Sequence, residues 1–201
     1  MSSYYSLFNH NNLSIDDVIN LYELKKSTFP LPKRKGKMEK AKSIDEISDK
    51  FDAFIFDSFG VLNVGSTLIE NVPNALNKLK RKEKVITVLT NGASYPTSKK
   101  VETFCNWKLP FNSTEIISSR DLLKNHLKNE KKITWGVIGS PGSDIDELGI
   151  SGYILGNNMK QIDKCEGIIY LGCEYWSNEN QKILEDHVVK NSLKVLVGNP
   201  D

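Results

Sequence analysis

No apolar run in this chain approaches the length needed to cross a membrane, and Met1 to His10 lack the basic start and apolar core of a secretory leader. Charge of one sign is missing too: 27 basic against 25 acidic side chains leave a net charge of +2. That is too little to demand nucleic acid or a membrane surface as partner. Cysteine is scarce. Cys105, Cys165 and Cys173 form an odd, scattered set without a CxxC pair, which argues against a disulfide framework or a cysteine metal site and fits a reducing compartment. His10, His126 and His187 stand apart and read as surface or packing residues. Repeats and low-complexity tracts are absent. A cytoplasmic, soluble chain is expected, and 201 residues suffice for one core plus a small accessory domain.

What is present begins with a lead-in arm over residues 1–50. Ser14 precedes Ile15 to Leu24, whose spacing and early acids predict a capped amphipathic helix. Phe29-Pro30-Leu31-Pro32 and Lys33-Arg34-Lys35-Gly36-Lys37 then break structure, and the basic run reads as a solvated linker because no aromatic stacking platform accompanies it. Ser43-Ile44-Asp45-Glu46 carries a capping-box pattern that opens a short helix.

From Phe51 the character changes. Phe51-Asp52-Ala53-Phe54-Ile55-Phe56 is an apolar run of strand length, read as a buried strand, ending in Asp57. A residue at the carboxyl end of a strand in an open parallel sheet faces the ligand crevice. Asp57 is therefore a candidate for chemistry, although Asp also starts ordinary turns. Val72 to Lys80 has helical spacing with Pro73 near its start. Val85-Ile86-Thr87-Val88-Leu89-Thr90-Asn91-Gly92 is a second β-branched strand. Strand, helix and strand make a βαβ unit whose right-handed crossover sets the two strands parallel. Asp57 and Thr90-Asn91 then arrive at one sheet edge.

The remainder alternates in the same way: a helix over Ser94–Leu109, a strand at Ile116-Ile117, and a helix capped by Ser119. Strands follow at 133–138, 153–155 and 167–171, then a helix at 178–191 and a last strand at 194–198. The class is α/β throughout. Cys105 and Trp107 read as core or cover. Gly136-Val137-Ile138-Gly139-Ser140-Pro141-Gly142 has the wrong spacing for a dinucleotide loop, and Pro141 removes an N–H that would hold phosphate.

Phe54-Ile55-Phe56-Asp57-Ser58-Phe59-Gly60-Val61-Leu62 resembles motif one of the haloacid dehalogenase (HAD) superfamily, and Val88-Leu89-Thr90-Asn91 resembles motif two. The Thr-Asn pair, the motif separation and Gly198-Asn199-Pro200-Asp201 resemble subclass IIA, the group of sugar-phosphate, pyridoxal-phosphate and nitrophenyl-phosphate phosphatases. The resemblance covers residues 43–201. It implies a HAD-like Rossmannoid parallel sheet with an inserted α/β cap domain: 51–110 as the first half of the core, and 111–201 as a cap incomplete at the C-terminus. It implies Asp57 as the nucleophile that forms an aspartyl-phosphate, with Mg2+ held by the Asp57 carboxylate and the Phe59 backbone carbonyl. Thr90, Asn91 and Gly92 would lie against the phosphate, with Gly60 letting backbone N–H groups approach it. The cap would select a small phosphorylated substrate, and a homo-oligomer would form through it. Gly172-Cys173-Glu174-Tyr175-Trp176 is a candidate substrate-facing loop or else a structural turn.

Two departures from the family pattern stand out. The usual second motif-one Asp is Phe59 here, and Phe59 cannot transfer a proton. Motifs three and four find no counterpart before Asp201, so the chain is expected to be part of a longer protein. The resulting expectation is a magnesium-dependent phosphohydrolase, weak or inactive in this form. The alternatives are a non-catalytic phosphate-ligand-binding or regulatory homologue and an unrelated doubly wound nucleotide-binding domain.

Overall fold

In the computed structural model, residues 14–31, 36–156, 159–174 and 176–199 are described. The basic run at 33–35, Met1 to His10, Tyr175 and Pro200-Asp201 lie outside them. The chain divides into two units, Met1–Lys40 and Ala41–Asp201, so residues 41–50 go with the second unit rather than with an arm ending at 50.

The first unit contains helix α1 (Ile15–Lys25). Ser14 caps it as expected: its Oγ accepts from the Asp17 amide, and the Asp17 carboxylate accepts from the Ser14 amide at 2.9 Å. This reciprocal pairing satisfies two helix-end donors. A single 3-10 turn, Lys26–Thr28, follows.

The second unit opens with the short helix α2 (Ile44–Ile47). The expected capping box is not made. Ser43 supplies no side-chain cap, and Glu46 reaches back to the Lys42 amide at 2.7 Å. Strand β1 (Ala53–Phe56) leads to a small hairpin, β2 (Asn63–Val64) and β3 (Thr67–Leu68), then helix α3 (Val72–Arg81) and strand β4 (Val85–Thr90). The sequence signalled no hairpin because strands of two residues carry no readable period. Helix α4 (Thr97–Asn106) is shorter than the expected Ser94–Leu109, since Pro96 stands at its cap with extended backbone. Strand β5 (Ile116–Ser118) and helix α5 (Ser119–Leu127) follow, with Ser118, not Ser119, as the cap. Strands β6 (Thr134–Ile138), β7 (Ser151–Ile154) and β8 (Gly167–Tyr170), helix α6 (Asn178–Asn191) and strand β9 (Lys194–Val197) complete the chain.

Two parallel sheets result, of order β1-β4-β5 and β7-β6-β8-β9. Strand β5 pairs with β4, Thr90 opposite Ser118, so the first sheet extends past the expected boundary at residue 111. The sheets differ in how they are covered. Leu123 and Leu127 of α5 pack on one face of the second sheet with Trp135, Val137, Ile169 and Leu171. Leu184 of α6 packs on the other with Ile138, Leu155 and Ile168. Its central strands consequently read as continuous apolar runs. The first sheet is covered on one face, where Phe54, Phe56, Ile86, Val88 and Ile116 meet Leu76, Leu79 and Phe104 of α3 and α4. Ile55 on the other face is 70% exposed, and Val85, Leu89 and Ile117 are exposed beside it. β1 is thus half-buried, not the fully buried strand expected. Its Phe-Ile-Phe run is apolar on both faces, so composition could not reveal that only one is covered.

Candidate active site

The register sets Phe56 opposite Val88, so the turn after β1 and the end of β4 share one sheet edge. Asp57 opens that turn, and its Oδ1 accepts from the Ser58 amide at 2.7 Å. The turn closes on the Ser58 carbonyl, which accepts from the amides of Val61 (3.3 Å), Leu62 (2.8 Å) and Asn63 (3.1 Å). Inside it the Ser58 hydroxyl donates to Asn63 Oδ1 at 2.9 Å. Gly60 adopts φ +79°, a left-handed backbone that disfavours a side chain. Its amide donates to the Asn63 carbonyl at 2.7 Å, so Gly60 shapes the turn rather than offering its N–H to a phosphate. The Phe59 carbonyl accepts no hydrogen bond among the described residues, and the Phe59 ring is 66% exposed.

At the end of β4, Thr90 is buried. Its Oγ1 accepts from the Gly92 amide at 3.2 Å and from Lys100 Nζ at 3.4 Å. With two donors already pointing at that oxygen, the Thr90 hydroxyl proton is directed to an acceptor elsewhere. The Asn91 carbonyl accepts from Ser119 Oγ at 2.5 Å. Asp57, Thr90, Asn91 and Gly92 therefore occupy one edge as the sequence predicted. Gly92 contributes through space as well as through its amide: a Cβ there would lie 2.8 Å from Lys100 Nζ.

Lys100 is the site residue that sequence reasoning missed. It stands in the first turn of α4, one of several lysines in a polar stretch, and only the tertiary structure turns it toward Thr90. Burial is the largest influence on its ammonium and holds its pKa below the usual lysine value, opposed by the negative charges of Asp57 and Asp121. A cavity of about 590 Å³ runs beside it, lined by Ser58, Asn63, Gly92, Tyr95, Lys99 and Lys100 among others.

The α4 and α5 starts are joined by a hydroxyl–carboxylate cluster. The Asp121 carboxylate accepts from Thr97 Oγ1 at 2.9 Å, from Ser118 Oγ at 2.7 Å and from the Ser118 amide at 3.1 Å. Arg120, 1% exposed, ties the loop after β4 to the loop after β6. Its Nη1 donates to the Ala93 carbonyl at 3.0 Å, its Nη2 to those of Ser143 and Asp144 at 2.6 and 2.7 Å, and its Nε to Glu147 at 3.0 Å. The loop after β8 also meets this edge: Ser94 Oγ donates to the Leu171 carbonyl at 2.9 Å and Tyr95 to Glu174 at 3.0 Å. That segment, Gly172 to Glu174, thus meets the loop that follows Thr90-Asn91, compatible with either role expected of it.

Cys165 is buried. Of the two residues expected to be core or cover, Cys105 is exposed and so not in the core, and Trp107 packs partly against the core. His126 pairs with Glu130 at 2.9 Å and His187 with Asp163 at 3.6 Å. No group of three His, Cys, Asp or Glu able to hold a metal occurs among the described residues. A hard dication held largely by water and phosphate oxygens needs only one or two protein oxygens. The Asp57 carboxylate and the unengaged Phe59 carbonyl are oxygens of that kind, so the residues present fit magnesium. No helix among the described residues is long and apolar enough to cross a membrane.

The parallel sheets and the α/β order define a Rossmann-like fold, and the comparisons with known proteins agree. A family model for haloacid dehalogenase-like hydrolases matches residues 54–153, and the chain belongs to the haloacid dehalogenase superfamily. It is 29% identical over 140 residues to the chloroplastic phosphoglycolate phosphatase 1A of Arabidopsis thaliana, covering 67% of this chain and 38% of that protein. The chain thus spans about two-fifths of the length of the curated relatives it matches. Among solved structures, a possible sugar phosphatase of the superfamily from Cytophaga hutchinsonii superposes with a TM-score of 0.65 at 20% identity, over 78% of this chain and 57% of that one. A glycerol phosphate phosphatase from Mycobacterium tuberculosis, solved in complex with magnesium, superposes with a TM-score of 0.56 at 13% identity, over 77% of this chain and 46% of that one. The two superpositions establish a shared fold.

Proposed function

We propose that this chain carries the nucleophile and phosphate-binding part of a magnesium-dependent phosphohydrolase acting on a small phosphorylated metabolite. The observation that carries the reading is the arrival of Asp57 and Thr90 at one edge of adjacent parallel strands, the edge at which such sheets bind ligands. One oxygen of Asp57 is held by the Ser58 amide, which leaves the other to attack phosphorus in line with the ester oxygen. The new O–P bond makes an aspartyl-phosphate as the ester O–P bond breaks, and water then hydrolyses that intermediate. Thr90, Asn91 and Gly92 surround the phosphoryl oxygens. The Asp57 carboxylate and the Phe59 carbonyl would hold magnesium, which supplies charge neutralisation when bound. The relatives named above are phosphatases of organic phosphates, which supports the substrate class. A reducing, cytoplasmic setting suits three free thiols, and assembly through the second sheet's domain, the cap, is part of the same reading.

Phe59 limits the chemistry. Its ring cannot protonate a leaving alkoxide, and general acid catalysis is typically worth about 10²–10⁴-fold. Acyl phosphates and aryl phosphates, whose leaving groups depart without a proton, are therefore the favoured substrates. The same residue favours a second reading, a phosphate-ligand-binding homologue without turnover. Asp57→Asn separates them. In the presence of magnesium the variant should lose all turnover of an aryl- and acyl-phosphate panel while keeping the wild-type melting profile. Undiminished turnover would sink the nucleophile assignment, and a wild-type protein inert across the panel would favour the binding reading.

A further inference from the structure

We infer that Lys100 is the cation of the anion site at this edge, holding the phosphoryl group together with the Thr90 hydroxyl. The inference deepens the reading above by adding a binding residue that neither motif supplies. Four observations converge on it. Lys100 forms no ion pair among the described residues, although it is half-buried. Withdrawing an ammonium from water is costly, and the charges of Asp57 and Asp121 offset only part of that cost. It also stands in the first turn of α4, where the positive end of the helix dipole disfavours a cation. Both costs are offset when an anion sits at Nζ.

The third observation is the space around it. Gly92 is the residue whose missing side chain admits Nζ, since a Cβ would stand 2.8 Å away. The fourth is the direction of the donors. Lys100 Nζ and the Gly92 amide both point at Thr90 Oγ1, so the Thr90 proton faces away from them toward an acceptor. An ammonium and a hydroxyl 3.4 Å apart together match two oxygens of one phosphoryl group. The neighbouring Lys99 does not share this role: its Nζ lies over the Tyr95 ring, 4.7 Å from the centroid.

Calorimetric titration of the full chain with inorganic phosphate, in the presence of magnesium, tests the assignment. Wild-type protein should bind phosphate, and Lys100→Met should weaken binding about tenfold or more, the effect of one charge-assisted hydrogen bond. Lys99→Met should stay within about twofold. Gly92→Ala keeps the lysine but pushes its flexible end away, so it should also weaken phosphate while melting like wild type; it carries the test if Lys100→Met fails to fold. No phosphate binding by the wild type, or equal binding by Lys100→Met, would overturn the inference. The two readings fail separately. Full turnover in Asp57→Asn together with phosphate loss in Lys100→Met removes the nucleophile and leaves the anion site. Dead Asp57→Asn with unaltered phosphate affinity in Lys100→Met does the reverse.

Discussion

At the scale of single residues, Phe59 is the position where one substitution changes what the edge can do. Its ring is 66% exposed and closes no hydrogen-bonded turn through its side chain, so replacing it should shift stability by no more than about 0.5 kcal/mol. Phe59→Asp places a carboxyl two residues after Asp57, where it can donate a proton to the leaving oxygen and later activate water. The expected outcome is a gain of about 100-fold or more in hydrolysis of alkyl phosphates, with little change for acyl phosphates, measured as kcat/KM on the two classes. A folded variant without gain on alkyl esters would mean that the new carboxyl does not reach the leaving oxygen. Asp57 and Thr90 were legible because carboxylate and hydroxyl stood at the ends of two apolar runs of strand length. Lys100 was not legible, because its role arises from Gly92 and Thr90 lying beneath it, and nothing in local sequence ties residue 100 to residue 90.

At the scale of elements, the second sheet was well legible and the first only partly. Continuous apolar runs at 134–138 and 167–171 announced strands buried on both faces, and α5 and α6 cover them. The same kind of run at 53–56 belongs to a strand with one open face; apolar composition reports suitability for burial, not the presence of a cover. Two glycines show how tightly the second sheet is drawn together. A Cβ on Gly152 would stand 2.0 Å from the Trp135 carbonyl oxygen, and one on Gly167 would stand 2.6 Å from the Trp135 ring. Backbone cannot yield as a side chain can, so Gly152→Ala must break the pairing of β6 with β7. Overpacking typically costs about 1–3 kcal/mol, and Gly152→Ala belongs at or beyond the top of that range. For a chain of this size about 3 kcal/mol lowers the melting temperature by roughly 6–12 °C, which thermal circular dichroism resolves. Gly167→Ala meets a ring that can shift and should cost less. The reverse order would show that the β6–β7 pairing is looser than its register implies.

At the scale of the whole second unit, Arg120 connects what the two sheets build separately. It leaves α5 just after β5 of the first sheet, and reaches the Ala93 carbonyl on one side and the Ser143 and Asp144 carbonyls on the other. Glu147 completes the cluster, accepting from Arg120 Nε and pairing with Lys124. Burial of Glu147 is the largest single influence and works against its charge. The hydrogen bonds from Lys124 and Arg120 together outweigh it, and leave the carboxyl below its ordinary value of 4.5. A carboxyl depressed in the folded state adds stability that is present above the unfolded value and is lost as pH falls through the folded one. The unit should therefore keep its full stability above about pH 4.5 and lose this contribution below it. Arg120→Met removes the guanidinium, strands the buried Ala93 and Ser143 carbonyls, and takes one partner each from the Asp144 carbonyl and the Glu147 carboxylate. Breaking one partner of a buried ionic cluster costs about 3–5 kcal/mol, so the melting temperature should drop by at least roughly 6 °C. The variant should also lose part of the acid sensitivity that Glu147 contributes, because the Arg120 hydrogen bond no longer holds that carboxyl down while the Lys124 one still does. Melting curves of wild type and Arg120→Met between pH 3 and 7 measure both effects. A large drop at pH 7 that narrows toward pH 3 is the expected pattern, since wild type loses both the Arg120 and the Lys124 pairings of Glu147 on acidification and the variant has only the Lys124 pairing to lose. A drop of constant size across that range would mean that Arg120 acts through its carbonyl contacts alone, with Glu147 a bystander.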